Sequence, residues 1–161
     1  MQHHHRAAHI RLEEPALSDV YSQLATEENV LCALSVDLDQ QLCFAPGLLV
    51  LTNRRLLSRQ GANGWSSWPL LRAGAAPSAG MTLHHFDHAG VGTLELHEAA
   101  GESSGRLASW RFTVGANLQA QRLVRLFARQ QGLARSSAEW ADGHGRNFTQ
   151  RRIVALDPAR G

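Results

Sequence analysis

The sequence predicts a mainly β domain with α elements: seven short strands, closed by one C-terminal amphipathic helix and preceded by a short N-terminal helix. Three observations predict it. Short apolar runs bounded by turn residues recur from Val30 to Val114, which is the texture of strands and hairpins. After Gly115 the apolar period switches from two to 3.6. The length of 161 residues, with 43% apolar and 19% charged, fits one globular domain with tails. The expected divisions are a tail over 1–14, a helix over 15–29, the sheet domain over 30–132 and an extension over 133–161.

The chain opens on Met1-Gln2-His3-His4-His5-Arg6, whose three histidines fit a tag remnant as well as a native tail and carry no fold signal. Pro15 suits a first helical turn, and Leu17, Val20, Tyr21 and Leu24 follow at helical spacing. Val30 to Val36 is an apolar β-type run that ends in the turn-prone Asp37-Leu38-Asp39-Gln40. A second run joins Leu42–Phe44 to Leu48–Thr52, and the Pro46-Gly47 between them predicts a bulge or a short break at an edge. Thr52-Asn53-Arg54 reads as a tight turn, since asparagine tolerates left-handed backbone. The chain returns as Arg55–Arg59, turns at Gln60–Gly64, and makes a short strand over Trp65–Leu70 whose proline suits an edge.

The small, aperiodic stretch Ala73–Gly80 predicts a loop. Met81–Asp87 and Val91–His97 flank Ala89-Gly90 as the two arms of a hairpin. Beyond the polar turn Gly101–Gly105, the strand Arg106–Val114 places Ala108, Trp110, Phe112 and Val114 on one face, with Leu107 outside the alternation. In the helix that follows, Ala116, Ala120, Leu123, Val124 and Phe127 form one stripe, while Gln119, Arg122, Arg125 and Arg129 point away. Gly132 predicts its stop and Leu133 a fold-back onto the last turn. From Arg135 onward the composition predicts a poorly ordered or edge-docked extension, with Trp140, Phe148 and Ile153-Val154 as isolated apolar groups.

All 16 basic residues are arginine, and 14 carboxylates reduce the formal charge to +2. So small an excess argues against a nucleic-acid partner, because phosphate-tracking proteins concentrate positive charge. The absence of lysine removes Schiff-base chemistry and the phosphate-binding loop that needs it. Cys32 and Cys43 lie in apolar runs and read as buried thiols in a reducing compartment. Nothing approaches the ~20 apolar residues of a membrane span, and the N-terminus lacks a signal-peptide core, so a soluble, cytoplasmic chain is expected. No Gly-x-Ser-x-Gly, His-Glu-x-x-His or dinucleotide fingerprint occurs. A non-catalytic protein with no cofactor is the consequence. Trp65, Trp68 and Trp110 read as core or rim residues of the sheet.

Two clusters carry the remaining chemistry. Arg54, Arg55 and Arg59 could receive an anion, such as a lipid head group or a phosphate, through planar guanidinium groups. The competing reading is structural: Arg54 braces its turn, and carboxylates nearby neutralise Arg55 and Arg59. The second cluster is His84-His85-Phe86-Asp87-His88 with His97 on the next strand, a set of zinc or nickel ligand types. Period two separates them, since His84 and His88 share one face while His85 and Asp87 share the other. A histidine-lined hairpin tip would also respond to pH.

The hairpin Leu48-Leu49-Val50-Leu51-Thr52-Asn53-Arg54-Arg55-Leu56-Leu57 resembles that of bacterial pleckstrin-homology-like (PH-like) and GRAM-like domains. Val36–Asp39, Phe44–Gly47, Thr52–Leu56, Gly92–Leu96 and Trp110-Arg111 follow in an order that resembles the N-terminal cytosolic region of a group of bacterial ABC exporters. The resemblance covers about residues 28–132. It implies a bent seven-stranded sheet or partly open barrel capped by the C-terminal helix, and a regulatory or interaction module that docks on transporter domains, another protein partner or an anionic lipid surface at the inner leaflet. The attaching elements would be the helix Pro15–Leu24 and the tail around Trp140, Phe148 and Arg151-Arg152, with the exporter's membrane and nucleotide-binding parts beyond Gly161. The alternative is a small metal- or ligand-sensing protein that uses His84, His85, His88 and His97.

Overall fold

The computed structural model describes residues 14–70, 80–99 and 105–150, with residues 134–150 described by their backbone. The expected loop at 73–79, the turn at 101–104, the side chains of Trp140 and Phe148, and everything from Arg151 onward lie outside the described residues. The elements run α1 (Glu14–Gln23), β1 (Val30–Leu38), β2 (Phe44–Thr52), β3 (Arg55–Gln60), β4 (Ser66–Pro69), β5 (Gly80–His88), β6 (Val91–Ala99), β7 (Arg106–Thr113) and α2 (Asn117–Gln150). A single 3-10 turn over Val114–Ala116 leads into α2.

Among the described residues, one open antiparallel sheet of seven strands has the order β4-β3-β2-β1-β7-β6-β5. The sheet is strongly curled. Strands sit about 4.8 Å apart, so β4 and β7, four places apart, would lie roughly 19 Å from each other if flat. Yet Trp68 of β4 meets Trp110 of β7 edge to face with ring centroids 5.4 Å apart, and Trp110 Nε1 donates to Ser58 Oγ of β3 at 2.7 Å. Side chains from both halves of the sheet therefore share one interior.

That interior takes Leu34 and Val36 of β1, Leu49 and Leu51 of β2, Leu94 and Leu96 of β6, and Phe112 of β7. Ala120, Leu123 and Phe127 of α2 enter the same cluster, so the stripe read from the sequence is the buried face of the helix. Alternation puts Leu48, Val50 and Leu57 on the opposite face, where they pack with Val20 of α1 in a second cluster. The long helix thus fills the inside of the curl, and the short one covers the outside of β2 and β3.

Several expectations change in detail. Pro46-Gly47 does not break β2, which is continuous and interior. The bulge expected there as the alternative to a break is present, because Val36 pairs with Gly47 but Leu38 pairs with Phe44. Pro69 does lie on an edge strand. Tyr21 and Val114, placed on apolar faces by their spacing, are exposed, since α1 buries a narrow stripe and β7 ends at Thr113. Cys32 is buried, but Cys43 is exposed in the turn between β1 and β2, where its N–H donates to Asp39 Oδ1 at 2.9 Å. Gly132 does not stop α2, which runs on to Gln150, and Leu133 is exposed rather than folded back. No helix among the described residues is long and apolar enough to cross a membrane.

Candidate functional site

The hairpin of β2 and β3 brings Arg54, Arg55 and Arg59 to the edge of α1, and each meets a carboxylate there. Thr52 Oγ1 accepts from the N–H groups of Arg54 and Arg55 at 3.1 and 2.9 Å, which closes the turn and aims both side chains. Arg55 makes a two-pronged contact with Glu28: Nε to Oε1 at 2.8 Å and Nη2 to Oε2 at 2.9 Å. Its Nη2 also donates to the carbonyl of Gln23, the last residue of α1, at 2.6 Å. Arg59 Nη1 reaches Asp19 Oδ2 at 2.6 Å, and its guanidinium lies 5.4 Å from the Trp65 ring centre. Arg54 lies 3.8 Å from Glu27 in an exposed pair.

Glu28 is the hub that spacing did not reveal. Its side chain is 1% exposed and also accepts from Ala25 N–H at 2.9 Å and Thr52 Oγ1 at 2.7 Å. Burial pushes its carboxyl up, but the hydrogen bonds from Arg55, Ala25 and Thr52 outweigh that and bring it down to about 2. The same hydrogen bond to Glu28 pushes the Arg55 guanidinium up, against its own burial. Paired charges of this kind fasten one element to another. Their cations are already engaged, which limits what they offer an external anion.

The histidines are split as the alternation required. His84 and His97 lie edge to face on the outer side of β5 and β6, with ring centroids 5.2 Å apart. His84 Nε2 lies 3.1 Å from Thr82 Oγ1, and His97 Nε2 lies 3.0 Å from Glu95 Oε2. Glu95 also accepts from Arg106 Nη1 at 2.9 Å, and the hydrogen bonds from His97 and Arg106 hold its carboxyl below the usual range. His85 points the other way, stacked on Phe112 with Nε2 3.4 Å from Asn117 Oδ1. Asn117 in turn donates to Asp87 Oδ2 at 2.6 Å, which ties the start of α2 to β5. His88 is exposed at the tip. Among the described residues no three histidine, cysteine or acidic side chains converge as a metal would require.

A feature invisible to spacing lies between β5 and α2. Two hollows of about 350 and 420 Å³ share Leu83, His84 and Val124 as walls and together form one groove. At one end stands Gln131, only 5% exposed, whose Nε2 has no hydrogen-bond partner among the described residues. A buried amide without a partner is rare in a native fold and costs about 1–3 kcal/mol. Arg125, exposed at the other end, forms no ion pair among the described residues. Comparison with protein-family models, with curated proteins and with solved structures finds no match to this chain.

Proposed function

We propose that the chain is a non-catalytic, PH-like interaction module that docks on another protein, of the kind found in the N-terminal cytosolic region of bacterial ABC exporters. The observation that carries this reading is the division of labour on the surface. Arg54, Arg55 and Arg59, the cluster best suited to an anionic membrane, are each turned onto a carboxylate at 2.6 to 3.8 Å. Among the described residues the groove beside β5 is meanwhile left open, with a cation that forms no ion pair and an unsatisfied amide. The sheet order and the single long helix inside the curl fit a partly open barrel of the PH-like type. The splitting of His84 and His85 onto opposite faces counts against the metal-sensing alternative.

Flotation with vesicles of anionic phospholipid at low salt tests the choice of partner. A membrane-docking patch gains about 1 kcal/mol for each cation near the surface, and three internally paired arginines offer little of that. The protein is expected to stay in the bottom fraction. Flotation that is lost on substituting Arg54→Ala or Arg59→Ala would replace protein docking by lipid docking.

A further inference from the structure

We propose that the groove between β5 and α2 takes an extended, acidic segment of a partner protein, which adds to the sheet as a new strand on the edge of β5. The proposal rests on the protein-docking reading and names what the site recognises. β5 ends the sheet order, and among the described residues it pairs with β6 alone. Consecutive residues from Met81 to His85 line the groove. Alternate side chains of a strand point to opposite faces, so a hollow lined by consecutive residues must follow the strand's edge. That edge carries the unpaired backbone donors and acceptors a further strand would use.

The helix supplies the other wall. Gln121, Val124, Ala128 and Gln131 recur at helical spacing along it. Gln121 to Gly132 spans roughly 17 Å at about 1.5 Å per residue, and Met81 to His85 spans roughly 13 Å at about 3.3 Å per residue, so the strand edge runs beside most of the helical wall. The floor is apolar, with Leu83 and Phe127 buried beneath it. Of the two sheet edges only β5 suits an added strand, because β4 has four residues and contains Pro69, which removes a donor.

Charge and hydrogen bonding select the occupant. Gln131 Nε2 needs an oxygen acceptor, which a peptide carbonyl or carboxylate supplies. Arg125, which forms no ion pair among the described residues, stands at the groove mouth and favours an acidic side chain. The chain's own longer segments outside the described residues are poor matches. Residues 1–13 set two arginines against Glu13 and residues 151–161 set three against Asp157, so both are net cationic, and residues 71–79 carry Arg72 and Pro77 with no acid. Self-pairing of two β5 edges would bring a second α2, with its own Arg125, to the same space.

Selection of short random linear peptides on the full chain tests the proposal, followed by synthesis of the selected consensus. The expected consensus joins Asp or Glu to alternating β-branched or aromatic residues. Bound to the chain, it should slow amide exchange at Met81–His85, and Arg125→Glu should weaken it about tenfold or more with an unchanged melting temperature. No enrichment of such peptides, a footprint away from β5 and α2, or equal binding by Arg125→Glu would overturn it. Protection of the β5 amides in the free chain, lost on deleting residues 151–161, would assign the groove to the chain's own tail and overturn it as well. Flotation reports on the docking reading without involving the groove, so the two failures are distinguishable.

Discussion

Glu28 shows how one side chain can decide whether an element stays attached. It is buried, accepts from Arg55, Thr52 and Ala25, and thereby links the segment after α1 to the turn between β2 and β3. Its carboxyl falls from an ordinary 4.5 to about 2. Because the folded value is the lower one, the stabilisation is complete above about 4.5 and is lost as pH falls through about 2. At about 1.4 kcal/mol per unit this amounts to on the order of 3 kcal/mol. Urea midpoints measured across that range should fall steeply for the native chain and much less for Glu28→Gln. At neutral pH the same variant should be less stable by about 3 kcal/mol, since it leaves the half-buried Arg55 without its carboxylate. An equal acid dependence in both proteins would remove Glu28 from this role. The sequence names the arginines of this hub but not its acid, because the contact spans two elements whose packing no local pattern encodes.

Among the elements, α2 departs most from its sequence reading. Gly132 has the composition of a helix stop, but a stop of that kind needs a left-handed residue, and the positive-φ glycines among the described residues are Gly61 and Gly90. Gly132 is instead an interior helical residue, and among the described residues a Cβ there would meet nothing within 4 Å. Gly132→Ala should therefore stabilise the protein by roughly 0.5–1 kcal/mol, through helix propensity and reduced freedom of the unfolded chain. A thermal melt would show this as a rise of about 2–4 °C. A lower melting temperature would mean the helix ends at this residue. The hairpin of β5 and β6 was more legible: Ala89-Gly90 forms its two-residue turn, with both residues at positive φ as such a turn demands. Turn chemistry is local, so sequence carries it; helix length past a weak breaker depends on what the helix packs against.

For the molecule as a whole, the curled sheet and α2 are mutually dependent. Phe127 is 1% exposed inside the cluster that holds Leu34, Leu49, Leu94 and Phe112. A carboxylate there would have no partner, and burying it costs several kcal/mol, comparable to the total stability of a small domain. Phe127→Asp should abolish the cooperative thermal transition and the near-ultraviolet circular dichroism of the buried Trp110. A soluble variant with an unchanged transition would show that α2 does not close the core.

The amino-acid sequence by itself determined the order and type of the elements, the buried stripe of Ala120, Leu123 and Phe127, and the separation of His84 from His85. Each follows from a repeat of two or 3.6 residues, or from turn residues acting within a few positions. Only the tertiary structure decided that Arg55 is clasped by Glu28, that Trp110 reaches Ser58 across the curl, and that a groove opens beside β5 with Gln131 unsatisfied in it. Those contacts join residues far apart in the chain. The curvature of the sheet and the placement of two helices on its opposite faces bring them together, and no local period specifies either.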